Sequence, residues 1–246
     1  MNLSRYTKKC YLFTLMIFIF STLLIMDNSI KVVKAAEKPV ELYYTYNNPY
    51  YIGDYRTIYI KTNVNGDNES VAIHGIDSEN SEEWKDYSGS YVNTLGDGSK
   101  IWKVDLSYVG SSIEYAIKYQ VNGETYWDNN NGNNYTNKNI LGAAVIGVNP
   151  IGPEYKNPSN YEIRVNIKNL NYVKNMKVRY TENNWDNNSF KDVPLIYVST
   201  NEDGSELWGT TLTLNENTIG KFHYAVSYKV NGIIYWDNNF GANYDY

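Results

Sequence analysis

The sequence predicts an all-β protein: two tandem Ig-like antiparallel β-sandwich modules after an N-terminal signal peptide. Three observations carry this expectation. A ten-residue stretch occurs twice, as Tyr126-Trp127-Asp128-Asn129-Asn130-Asn131-Gly132-Asn133-Asn134-Tyr135 and as Tyr235-Trp236-Asp237-Asn238-Asn239-Phe240-Gly241-Ala242-Asn243-Tyr244. Each copy follows an Asn-Gly turn, at Val121-Asn122-Gly123 and Val230-Asn231-Gly232, and Asn-Gly favours the type I′ hairpin because both residues tolerate positive φ. The flanking segments alternate polar and apolar residues with period two, the pattern of half-buried strands.

The chain begins with a targeting pattern. Arg5, Lys8 and Lys9 precede an uncharged, mostly apolar run from Tyr11 to Met26, which Asp27 ends. Val33-Lys34-Ala35-Ala36 supplies a small-residue cleavage site. A membrane-spanning helix needs about 20 apolar residues, so residues 1–36 read as a signal peptide cleaved after Ala35 or Ala36. The expected location is outside the cell or on its surface, with no membrane association beyond this segment. Cys10, the only cysteine, lies before the apolar run, so the mature chain has no disulfide.

Overlaying the repeated stretches defines the modules, 37–139 and 140–246. Trp127 matches Trp236, Trp102 matches Trp208 within Gly-Asp-Gly-Ser and Glu-Asp-Gly-Ser contexts, and Val71-Ala72-Ile73 matches Met176-Lys177-Val178. Ile58, Ile60 and Thr62 alternate with Tyr59 and Lys61; Ile163, Val165 and Ile167 alternate with Arg164, Asn166 and Lys168. Tyr115, Ile117 and Tyr119 have counterparts in Tyr224, Val226 and Tyr228. These are antiparallel strands, seven or eight per module, which is the count of an Ig-like sandwich. Val40 to Tyr44 should begin module one and the apolar Ile140 to Val148 module two. No Ser/Pro-rich linker separates them, which allows the modules to pack together. Trp102 and Trp208 sit inside alternating strands and are expected in the cores.

Composition excludes several functions. A net charge of −5 without basic blocks argues against nucleic acid and anionic membrane surfaces. The two histidines, His74 and His223, fall at different places in the repeat and read as structural or solvent-exposed. No HExxH, P-loop, GxSxG or dinucleotide fingerprint occurs. Carboxylates such as Asp86, Asp192 and Asp203 show no pairing of the kind glycosidases use. The expectation is a protein without catalysis, cofactor or metal. Asp128-Asn129-Asn130-Asn131-Gly132 approaches a calcium loop, but its glycine is one place early and no Glu follows. The chain is rich in Asn and has 26 Tyr. An AT-rich coding bias raises both, but does not cluster them in a repeated motif.

The repeated stretch can bind a sugar. A Trp ending a short strand can turn its ring to solvent, and a pyranose face is apolar enough to stack on it. Neighbouring Asn amides both donate and accept, which suits vicinal hydroxyls. Asp128 and Asp237 are expected to accept backbone N–H bonds and shape the turn, Gly132 and Gly241 to take a left-handed backbone, and Tyr135 and Tyr244 to pack the loop down. The alternative is that Trp127 and Trp236 are core residues and the Asn run is turn chemistry.

Glu114-Tyr115-Ala116-Ile117-Lys118-Tyr119-Gln120-Val121-Asn122-Gly123, followed by Tyr126 to Tyr135, resembles the signature of carbohydrate-binding module family 21. Val178-Arg179-Tyr180-Thr181-Glu182-Asn183-Asn184-Trp185 is similar to it again. The resemblance covers nearly all of the mature chain and implies a β-sandwich that binds starch, glycogen and other α-1,4-glucans without catalysis. It implies aromatic platforms at Trp127 and Trp236, polar contacts from Asn129, Asn238 and Asn131, and a second platform at Trp185. Module one departs there: Trp84 arrives four residues late, yet is the candidate for the same role. A further site in some members implies Asn169, Tyr172 and Lys174 in module two; module one has only Asp67 nearby. Ala116 and Ala225 stand where some members carry another aromatic, so a third platform is missing. The expected partner is an α-glucan polysaccharide, with separately encoded amylases as candidate partners. Phosphatase targeting, known in the family, would need a basic-(x)-Val/Ile-x-Phe/Trp motif, and Lys177-Val178-Arg179-Tyr180, which comes nearest, ends in Tyr and sits within a strand. An adhesin binding protein or other glycans through the Tyr- and Asn-rich loops is the alternative.

Overall fold

The computed structural model describes residues 37–48, 55–77, 83–107, 113–154, 157–186, 189–215, 218 and 220–245. The expected signal peptide, 1–36, with its expected cleavage after Ala35 or Ala36, lies outside the described residues. The first module holds β1 (Val40–Asn48), β2 (Tyr55–Thr62), β3 (Ser70–Asp77), β4 (Lys85–Ser88), β5 (Ser90–Thr94), β6 (Lys100–Leu106), β7 (Ile113–Val121), β8 (Glu124–Asp128) and β9 (Tyr135–Thr136). The second repeats them as β10 (Ile146–Glu154), β11 (Asn157–Ile167), β12 (Lys174–Thr181), β13 (Lys191–Pro194), β14 (Ile196–Thr200), β15 (Glu206–Thr213), β16 (His223–Val230), β17 (Ile233–Asp237) and β18 (Tyr244–Asp245). The count exceeds the expected seven or eight because each amide-rich loop ends in a two-residue strand, which pairs back onto β7 or β16.

Each module is a sandwich of two antiparallel sheets. In module one β1-β2-β6-β5 faces β4-β3-β7-β8; in module two β10-β11-β15-β14 faces β13-β12-β16-β17. The alternation read from sequence fills the space between them. Ile58, Ile60, Val71, Ile73, Ile117 and Tyr119 are buried in one core; Ile163, Val165, Met176, Val178, Val226 and Tyr228 occupy the same places in the other. Register repeats as well: Val71 lies opposite Tyr119 and Met176 opposite Tyr228. Both Asn-Gly turns have the two positive φ angles a type I′ hairpin requires, 53° and 81° at Asn122-Gly123 and 51° and 78° at Asn231-Gly232.

Two expectations need correction. The first strand of module two starts at Ile146, not Ile140. Residues 140–144 instead seal the seam between modules: Thr45 N–H donates to Ile140 O at 2.8 Å and Gly142 N–H to Tyr43 O at 3.0 Å. A Cβ on Gly142 would sit 2.0 Å from Leu42 O, so only glycine fits. Trp102 is buried, but Trp208 is only partly so and lines a surface hollow.

Lys38–Tyr246 forms one compact unit. The outer face of module one's β1-β2-β6-β5 sheet carries Tyr43, Tyr44, Tyr46 and Tyr59, and the amide-rich loop of module two inserts Phe240 among them. The Phe240 ring lies 5.0 Å from Tyr59 and 5.9 Å from Tyr43. Asn93 Nδ2 donates to Phe240 O. Two-module packing therefore rests on an aromatic cluster that neither module could complete alone.

Candidate functional site

The repeated stretch folds the same way twice. Asp128 and Asp237 end their strands buried beneath the loop. Asp237 accepts from Val148 N–H at 2.7 Å, Asn239 N–H at 3.1 Å and the Tyr244 hydroxyl at 2.9 Å. Asp128 accepts from Leu42 N–H, Asn130 N–H and, at 2.6 Å, the Tyr135 hydroxyl. Each aspartate thus ties the loop to the first strand of its own module and to the tyrosine that packs the loop down. Burial raises the Asp237 carboxyl above the ordinary range, and the hydrogen bonds oppose that rise. The loops turn as short 3-10 segments at Asn130–Gly132 and Asn239–Gly241, with Gly132 and Gly241 at φ 93° and 101°.

Asn129 and Asn238 cap these turns. Their Oδ1 atoms each accept from the glycine three residues on, Gly132 N–H and Gly241 N–H, both at 3.0 Å. One end of each amide therefore shapes the loop, and Nδ2 is the end available to a ligand. Asn131 is exposed at φ 58°; its counterpart Phe240, at φ 55°, has the same backbone but faces module one.

Trp127 and Trp236 lie on the outer face of the β4-β3-β7-β8 sheet and its counterpart, 51% and 47% exposed. In module one His74 stacks on Trp84 at 5.4 Å and meets Trp127 edge-on at 5.9 Å. His74 Nδ1 is 2.6 Å from Asp86 Oδ1, and Lys118 Nζ donates to Asp86 Oδ2 at 2.9 Å. In module two Arg179 takes the place of His74. Its guanidinium lies 4.0 Å from the Phe190 ring and 5.6 Å from Trp236, and makes a two-pronged bond to Asp192 at 2.7 and 2.9 Å. Lys118 first, then His74, holds the Asp86 carboxyl below the usual range; Arg179 does so for Asp192.

Strand register re-reads the second platform. His74 pairs with Asp86 and Arg179 with Asp192. Trp84, two residues before Asp86, therefore corresponds to Phe190, two before Asp192, and not to Trp185. Trp185 sits half-buried in the turn after β12 at φ 62°. Phe190, 46% exposed, and Arg179 were missed from sequence. The shared Lys-Asp dipeptides at Lys85-Asp86 and Lys191-Asp192 were the signal that would have found them. His223 lies elsewhere, 2.9 Å from Asn184 Oδ1.

Asn169, Tyr172 and Lys174 come together at a hollow of about 640 Å³, with Tyr197, Glu206 and Trp208. Tyr172 is 94% exposed, whereas Lys174 is deeply buried with its Nζ 3.0 Å from Glu206 Oε1. Tyr197 meets Trp208 edge-on at 6.0 Å. Module one repeats this pair as Tyr91 on Trp102 at 5.7 Å but has no tyrosine in place of Tyr172.

A family model for the carbohydrate/starch-binding module (family 21) matches residues 26–138 and 158–246. The chain belongs to this family. Among curated relatives of this family 21 chain, "Glycogen-binding subunit 76A" of Drosophila melanogaster is 34% identical over 82 residues, 32% of this chain and 12% of that protein. "Protein phosphatase 1 regulatory subunit 3B" of Bos taurus is 37% identical over 84 residues, again 32% of this chain and 29% of that protein. The match thus spans less than a third of either relative. The solved starch binding domain of Rhizopus oryzae glucoamylase is 26% identical and covers 42% of this chain and 95% of its own, with a TM-score of 0.33.

Proposed function

We propose that this family 21 chain is a secreted, non-catalytic binder of α-1,4-glucans, exported by residues 1–36 and cleaved after Ala35 or Ala36, with modules at 37–139 and 140–246. The observation that carries this reading is the presentation of Trp127 and Trp236 to solvent at the same place in both modules, each beside a loop anchored by a buried aspartate. A solvent-facing indole next to amides suits the apolar face and hydroxyl edge of glucose. Asn129, Asn131 and Asn238 supply the polar contacts, Trp84 and Trp185 are further aromatic contacts, and the hollow of Asn169, Tyr172 and Lys174 is an additional site on module two. Two modules on one polymer raise avidity through effective concentration, by roughly 10²–10⁴ when both can engage.

The names of the curated relatives raise phosphatase targeting. Lys177-Val178-Arg179-Tyr180 lies in the central strand β12, where the Val178 and Tyr180 side chains are buried, so it is not presented as a docking peptide. We favour separately encoded amylases as candidate partners on a shared glucan.

Affinity electrophoresis in glycogen or starch gels tests the reading. The parent chain should be retarded and the Trp127→Ala, Trp236→Ala double variant should run free. Unretarded migration of the parent overturns it.

A further inference from the structure

In both modules the space between the two exposed aromatic rings is filled by a flat nitrogen-bearing side chain held by a carboxylate. In module two the order is Phe190, Arg179, Trp236, with Asp192 fixing the guanidinium plane through Nε and Nη2. In module one it is Trp84, His74, Trp127, with Asp86 fixing the imidazole through Nδ1. The residues differ in type but share strand register, since His74 and Arg179 pair with Ala116 and Ala225, both buried. A small cross-strand neighbour leaves the plate room on the outer face of the sheet, where the His74 ring lies 30° from the plane of Trp84 and 81° from that of Trp127. The plate is reachable: the Arg179 and His74 side chains are 36% and 38% exposed. Among the described residues, Asp192 takes Nε and Nη2 of Arg179 and leaves Nη1 without a hydrogen bond, and Asp86 is the only hydrogen-bond partner of the His74 ring.

We propose that His74 and Arg179 are the middle of each glucan site, contacting the sugar and setting the spacing of the two rings. A filled gap means that no glucose unit enters between the rings as between two walls. The indole of Trp127, which the imidazole meets only edge-on, keeps its face for a glucose, and the plate nitrogen meets the hydroxyls of the sugar beside it. Arg179 offers N–H donors there. His74 with its Nδ1–H on Asp86 offers Nε2, the ring nitrogen that no described residue uses. Phe190 and Trp84 are on this account the rings against which the plates stack.

The inference rests on the glucan-binding reading, and its test separates the two. Maltoheptaose titration by calorimetry is run on the full chain carrying Trp127→Ala and Tyr172→Ala, two exposed substitutions that silence the other candidate sites. In that background Arg179→Lys keeps the charge beside Asp192 but loses the plane, and should weaken binding about five- to tenfold with an unchanged melting temperature. Arg179→His installs the plate of module one and should restore binding to within about twofold. Equal affinity for the parent background, Arg179→Lys and Arg179→His overturns the proposal while leaving glucan binding standing. Equal loss in Arg179→Lys and Arg179→His also overturns it. No binding by the unsubstituted chain sinks both readings.

Discussion

The ring of Phe240 lies 5.0 Å from that of Tyr59, across the boundary between the two modules. Phe240 belongs to the loop that in module one carries Asn131 at the same place. The second loop has therefore exchanged a polar, solvent-facing residue for a docking ring. Half-burial of a phenyl ring stabilises by roughly 1–2 kcal/mol, about half of full burial. Phe240→Asn should lower the urea midpoint by a corresponding amount and split a single transition into two, while Asn131→Phe should not stabilise. Indistinguishable denaturation curves for the Phe240→Asn variant and the parent would sink this account of the seam.

The acid limb of stability should be dominated by carboxylates held below their ordinary range. The Ser99 hydroxyl first, with Ser99 N–H and Lys61, brings the Asp97 carboxyl down to about 2. A lowered folded pKa means that stability is present above the unfolded value and is lost as pH falls through the folded one. The window for Asp97 therefore runs from the ordinary Asp value near 3.8 down to about 2. Asp237 has the opposite sign: burial raises its pKa, so its contribution falls as pH rises through the raised value. Carboxyl NMR should place Asp97 as the last of these groups to protonate, and Asp97→Asn should shrink the loss of thermal stability between pH 4 and 2. A normal Asp97 titration contradicts this.

Much of this was legible in sequence, because two copies of one pattern check each other. The hairpins, the anchoring role of Asp128 and Asp237 and the packing of Tyr135 and Tyr244 all follow from local chemistry. What was not legible depends on pairing across the sheet. Trp84 was matched to Trp185 by residue type, but the strands match it to Phe190, because the segments before β4 and β13 differ in length. His74 looked unremarkable because its counterpart is an arginine, and only register shows that both fill one gap. Phe240 differs from Asn131 by one letter, and nothing nearby in sequence announces Tyr43 or Tyr59.

The Lys174–Glu206 pair, at 3.0 Å, is answered in module one by Glu69–Lys100 at 2.6 Å, with the charges exchanged between strands. Lys174 and Glu206 side chains are only 6% and 9% exposed, so removing one partner leaves a buried charge. Lys174→Met should cost about 3–5 kcal/mol, measured by chemical denaturation. The double reversal Lys174→Glu with Glu206→Lys should recover most of it, since module one already uses that arrangement. Full stability in Lys174→Met would show the pair to be dispensable.

Asn129 separates loop shaping from ligand contact. Its Oδ1 accepts from Gly132 N–H at 3.0 Å, and an aspartate retains that acceptor while losing the amide donor. Asn129→Asp should therefore keep the melting temperature of the parent, whereas Asn129→Ala should lose about 1 kcal/mol with the cap. If Nδ2 donates to a glucose hydroxyl, both variants bind maltoheptaose several-fold more weakly at module one, read in a chain with Trp236→Ala and Tyr172→Ala. If Asn129 serves the loop alone, Asn129→Asp binds as the parent does and only Asn129→Ala weakens. The two substitutions together decide which end of the amide matters, because stability and affinity respond to different atoms of one side chain.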